Sequence, residues 1–254
     1  MAGVCVLVVI LMGHIDGLAL QSKIRFGAKY GSPNQWVMPT SSGVYAAGDL
    51  AIVTQIAQNN SSSIPATNVP AGWTSLLNDV AGTGGAAPGG NGIRASTIFK
   101  IITAADLGAT ITGMSGPNKF EICAMLMHFN RPIRAVTRVT AATTVDFSNQ
   151  TALPAQQVVA WDSVRTGAHL YWGFSYAGGN NIPDTNYNWS VGPRGTVYSP
   201  AAPPPDKGSQ NQTRTWYSFA PIGENPDASV TMKLQSIIAG SYCYVNGGSL
   251  LRLT

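Results

Sequence analysis

Residues 95–102, Ala-Ser-Thr-Ile-Phe-Lys-Ile-Ile, set Ala95, Thr97, Phe99 and Ile101 on one side of an extended chain and Ser96, Ile98, Lys100 and Ile102 on the other. This two-residue period belongs to a β-strand, whose successive side chains point to opposite faces, and one face is drier than the other. The same grammar recurs outward from here. Upstream, Gly48-Asp49-Leu50-Ala51-Ile52-Val53 starts a strand that the polar loop Asn59 to Pro70 ends, and Ala71-Gly72-Trp73-Thr74 turns the chain back. Residues 81 to 93 are too rich in glycine to hold regular structure. Downstream, Thr103 to Gly108 reads as a brief helical turn or corner, and Ala109 to Thr112 as a strand. Phe120 to Phe129 is almost continuously apolar and predicts a central strand, since Asn118 and Pro132 bracket it at strand length; a helix is the alternative.

Further candidates are Arg134 to Thr140, Gln156 to Trp161, Ala168 to Tyr176, Arg214 to Phe219, Ser229 to Ile238, Ser241 to Val245 and Ser249 to Arg252. Short strands divided by turn-rich loops predict an all-β chain, an antiparallel jelly-roll-like β-sandwich with an extended N-terminal arm. The expected division is 1–47 for the N-terminal strand and assembly arm and 48–254 for the sandwich body, with a Pro-rich insertion near 199–209.

Charged residues make up 10% of the chain, against about 25% in an average soluble domain. Much of the surface is therefore neutral polar or covered by another chain. Eleven acids and three histidines leave few groups for acid–base chemistry, so packing and assembly are expected ahead of catalysis and no catalytic set is assigned. The net charge is +4, but the basic residues are scattered from Lys23 to Arg252 with one loose cluster at Arg131, Arg134 and Arg138. Nucleic-acid binding needs them gathered on one face, so no nucleic-acid partner is expected. Cys5, Cys123 and Cys243 lie far apart in apolar surroundings and read as buried thiols. With no Cys/His spacing suited to zinc and no calcium loop, neither metal nor cofactor is expected.

The most apolar stretch, Val4 to Met12, falls short of the roughly 20 residues a helix needs to cross a bilayer. A cleaved signal peptide is the competitor, but no Lys or Arg precedes the stretch. It reads as a β-branched strand or arm buried against the body or a neighbour. Its candidate contacts are Val4, Val6, Leu7, Val8, Val9, Ile10 and Leu11, joined by Trp36.

An aromatic cluster runs through Trp161, Tyr171, Trp172, Phe174, Tyr176, Tyr187 and Trp189. Alternation makes Trp172, Phe174 and Tyr176 the stronger core set. Tyr187 and Trp189, with Asn186 and Asn188, are the candidates for stacking on and hydrogen-bonding a glycan. Asp49 and Asp106, like other acids here, read as turn residues capping their own backbone.

The order Gly48-Asp49-Leu50-Ala51-Ile52-Val53, a polar loop, Pro70-Ala71-Gly72-Trp73-Thr74, a Gly-rich gap, Arg94-Ala95-Ser96, Lys100 and Thr103-Ala104-Ala105-Asp106-Leu107-Gly108 resembles β-rich domains of tailed-bacteriophage tail-fibre and other virion proteins. It covers roughly residues 48 to 175. The resemblance implies a non-enzymatic structural or host-contacting virion component, in a tail fibre or baseplate, and brings no catalytic residues. A capsid decoration (cement) protein and a host-glycan binding module or depolymerase are the alternatives. The expected partners are other virion proteins and further copies of the chain, a trimer favoured, with a host surface glycan as the possible ligand and no membrane span.

Overall fold

Alternation with both sides apolar marks strands covered on two faces, and the structure builds its larger sheet from such strands. The computed structural model describes residues 17–30, 35–40, 43–59, 68–81, 92–113, 119–145, 157–160, 168–179, 189–190, 211–220, 229–234 and 241–254. The strands are β1 (Leu20–Tyr30), β2 (Gln35–Val37), β3 (Leu50–Asn59), β4 (Thr74–Ala81), β5 (Gly92–Ile101), β6 (Thr110–Thr112), β7 (Lys119–Phe129), β8 (Val136–Val145), β9 (Gln157–Ala160), β10 (Ala168–Gly179), β11 (Trp189–Ser190), β12 (Asn211–Ala220), β13 (Ser229–Leu234) and β14 (Ser241–Leu253). A 3₁₀ turn, Ala104–Asp106, precedes β6.

The strands pair antiparallel. A five-stranded sheet runs β1-β7-β3-β5-β4 and a four-stranded sheet β12-β10-β14-β8, with smaller sheets β11-β13-β9 and β2-β6. The chain is therefore all-β among its described residues, where no helix is long and apolar enough to cross a membrane.

The two large sheets bury one core between them. Leu50, Ile52, Phe99, Met125, Met127 and Phe129 from the five-stranded sheet meet Leu170, Trp172, Leu251 and Leu253 from the other. A polar bridge crosses this core. The Trp172 indole N–H on β10 donates to the Thr54 hydroxyl on β3 at 2.9 Å, and that hydroxyl lies 3.0 Å from the Thr97 hydroxyl on β5. At one lateral edge Arg138 of β8 donates to the Leu76 carbonyl of β4 at 2.8 Å, fastening the outermost strands of the two sheets together.

The second face of the five-stranded sheet is covered as well. Ala51, Val53, Ile98, Ile122, Ala124 and Leu126 pack against Trp36, Met38, Tyr45 and Trp73. Here the structure corrects the sequence reading of residues 95–102: both faces are dry, with Ala95 to Phe99 all buried. β7 is a central strand, as its apolar run predicts, flanked by β1 and β3.

Residues 17–47 differ from the extended arm expected at 1–47. Their described part is built into the body: β1 is an outer strand of the five-stranded sheet, Leu18 is buried in the intersheet core, and Trp36, 2% exposed, fills the second core. β4 occupies residues that the sequence reading left as a turn and its sequel. Ser241 to Leu253 is one strand, continuous through Asn246-Gly247-Gly248, rather than two.

Candidate functional site

Three turns that carry the sequence resemblance, those before β3, before β4 and after β5, meet at one corner of the five-stranded sheet, and the first of them is the turn before β3. Asp49 N–H donates to the Ala46 carbonyl at 3.2 Å, while the Asp49 carboxylate accepts the Ala46 N–H through Oδ2 at 2.8 Å. This reciprocal pair explains Asp at that position, since a short carboxylate closes its own turn. Gly48 has φ +95°, a left-handed conformation that suits glycine, and a Cβ there would stand 2.5 Å from Pro132 Cβ. Its backbone is fully used: Gly48 N–H donates to Ile102 at 2.9 Å and its carbonyl accepts Ile133 N–H at 2.9 Å.

The turn is tied to β7 and to the end of β5. His128 Nδ1 lies 2.8 Å from Asp49 Oδ1, and the imidazole meets the Tyr45 ring edge-to-face at 6.5 Å. Against an ionised carboxylate, which only accepts, Nδ1 carries the proton. Ile102 N–H donates to the Asp49 carbonyl at 2.8 Å, and just beyond it the chain enters the 3₁₀ turn.

Asp106 gathers a second set of bonds. Its Oδ1 accepts from Lys100 Nζ at 2.6 Å, and its Oδ2 accepts the Thr103 N–H at 2.7 Å and the Thr103 hydroxyl at 2.8 Å. Burial pushes the Asp106 carboxyl up, but the Lys100 bond, the two Thr103 bonds and the Lys100 charge outweigh it and hold the group below its ordinary 3.8. Gly72, at φ +79°, leaves room for Lys100: a Cβ there would lie 3.3 Å from Nζ. The next residue, Trp73, packs edge-to-face on Trp36 with ring centroids 5.8 Å apart, and shares the second core with Ile98, Ile102 and Leu107. The indole N–H groups of Trp36 and Trp73 are both buried with no hydrogen-bond partner.

Chemically, these bonds hold conformation. Asp49 accepts one backbone N–H and lies against one side chain, and Asp106 accepts one backbone N–H and bonds from two side chains, which makes both of them anchors at the same end of the β3–β5 pair. Among the described residues no group of three or more His, Cys, Asp or Glu is placed to hold a metal ion.

The residues singled out in the sequence fall in different places. Val4, Val6, Leu7, Val8, Val9, Ile10 and Leu11 lie outside the described residues, as do Tyr187, Asn186, Asn188 and the Pro-rich 199–209 stretch. Trp36 is a core residue. Trp189 lies in β11, paired with Leu234 of β13. Trp172, from the aromatic cluster, is fully buried between the sheets. Sequence reading missed the Asp49–His128 pair, whose members are 79 positions apart. It also missed the Thr54 bridge, although a lone threonine at an inward position of the apolar run Leu50 to Ile56 was the available signal.

No protein-family model matches this chain, and no curated protein and no solved structure matches it.

Proposed function

We propose that this chain is a non-enzymatic structural protein of a bacteriophage virion, a tail-fibre or baseplate-associated, host-contacting component. In this reading its body is a jelly-roll-like sandwich that assembles with other copies and with other virion proteins. The observation that carries the proposal is the use made of the residues behind the sequence resemblance. Gly48, Asp49, Gly72, Trp73, Lys100, Thr103 and Asp106 are bonded or packed into one corner of the scaffold, which supports reading the pattern behind the resemblance as architectural. A scaffold rigid on both faces of a sheet suits a part that must hold its shape within a repeating assembly.

The test is to purify intact particles and label this chain with gold-conjugated antibody in electron micrographs. Label on the tail or baseplate is the expected result. Label on the head would assign the chain to capsid decoration instead, and particles lacking it would overturn the virion reading.

A further inference from the structure

We propose that the outer edge of β1 is an acceptor for strand addition, and that its occupant is the apolar stretch Val4 to Met12 of a second copy of this chain. The inference rests on the assembly reading above and names the surface that performs it. Four observations support it.

First, the two lateral ends of the sandwich differ. At one end Arg138 spans from β8 to the Leu76 carbonyl of β4. At the other, β1 pairs with β7 on its inner side and with no described strand on its outer side. An unpaired strand edge presents a row of backbone donors and acceptors that another strand can complete.

Second, the donor segment is continuous in sequence with β1, and the residues that join them are held in place. Ala19 N–H donates to Asn130 Oδ1 at 2.9 Å, Asn130 N–H donates to the Ala19 carbonyl at 3.0 Å, and Asn130 Nδ2 donates to the Gly17 carbonyl at 3.0 Å. Leu18 is fully buried between these contacts. Gly17, three residues before β1, is thus fixed to the end of β7.

Third, charge selects the occupant. β1 carries Lys23, Arg25 and Lys29 and no acid. Pairing β1 with β1 of another copy would bring together two strands of the same net charge, a less favourable match than an uncharged strand. Val4 to Met12 carries no Lys or Arg.

Fourth, the lengths and side chains fit. Between its irregularities at Leu20/Ser22 and Phe26/Lys29, β1 pairs evenly from Ser22 to Phe26, a run shorter than the Val4 to Met12 stretch. Ile24 in that run is 40% exposed, an apolar side chain left for a neighbour to cover.

The experiment is isotope-mixed cross-linking of the full chain. Protein carrying Ile24→Cys is prepared with natural nitrogen and with nitrogen-15, the two are mixed through unfolding and refolding, and a short bis-maleimide is added. The expected product joins Cys5 of one copy to the cysteine introduced by Ile24→Cys in another, seen by mass spectrometry as mixed-isotope peptide pairs. Pairs of one isotope only would mean that the arm folds onto its own β1, and no such pair would mean that β1 is not the acceptor; either overturns the proposal. A full-length Val6→Asp/Val8→Asp variant separates this from the assembly reading. It is expected to be a folded monomer by circular dichroism and sedimentation. A variant that remains multimeric would overturn the arm's role in assembly altogether, whereas a monomer without β1 cross-links in the parent protein would leave that role standing and discard β1.

Discussion

Trp172 and Thr54, 118 positions apart in the chain, meet at 2.9 Å in the middle of the core and join the two large sheets by a hydrogen bond. Thr54→Val keeps the shape of the side chain but leaves the buried indole N–H without its acceptor. It is expected to cost about 1–3 kcal/mol in urea unfolding, the penalty of an unmet buried donor. Trp73→Phe is the comparison, because its N–H already has no partner. That replacement removes ring area without breaking a bond and is expected to cost less than Trp172→Phe.

Gly48 and Gly43 separate backbone strain from collision. Both have positive φ, but a Cβ on Gly43 meets nothing within 4 Å whereas one on Gly48 strikes Pro132. Gly43→Ala is expected to cost about 1 kcal/mol, the order of a left-handed alanine. Gly48→Ala is expected to cost more, because Pro132 must also move, and a thermal melt of the two variants side by side reads the difference.

Asp106 makes stability depend on acid. Its folded carboxyl is held below its ordinary value, so the charged form favours the fold. This contribution is fully present above the unfolded value near 3.8 and is lost as the pH falls through the lower folded value. Unfolding midpoints of the parent chain are expected to drop over that interval, and those of Asp106→Asn to drop less. Equal slopes for the two proteins would show that Asp106 is not the group responsible.

Asn130 holds Gly17 and Ala19 against the end of β7 with its side chain. Asn130→Ala is expected to speed amide hydrogen exchange at Ala19 by about tenfold or more, with little change in global stability, since such end contacts open locally.

How much of this was legible in the sequence depended on whether the local signals agreed. β5, β7 and the 3₁₀ turn at Ala104–Asp106 could be read because their periodicity and their flanking turn residues point the same way. β1 could not: Gln21-Ser22-Lys23-Ile24-Arg25 is polar enough to pass for a lead-in, and irregular pairing at both ends breaks its alternation. β4 begins directly at Trp73-Thr74, and its own irregularity between Ser75 and Leu77 puts Leu76 and Leu77 out of simple alternation. In the corner, the bonds of Asp106 to Thr103 and Lys100 follow from nearby residues. His128 reaches Asp49 only once β7 lies beside β3, a relationship that no local pattern encodes.

The wide sequence separation of the strand partners also sets the order in which the molecule can be made. β1 emerges from the ribosome long before β7, its pairing partner, and the Ala19–Asn130 contact spans 111 positions. The four-stranded sheet waits longer still, because β14 sits between β10 and β8 and is the last of them to be synthesised. A nascent chain must therefore carry Trp172 without its β14 neighbours until β14 has been synthesised, and folding dominated by such distant contacts is slow. Partly folded chains with such uncovered apolar surface are the species that aggregate and that chaperones shield.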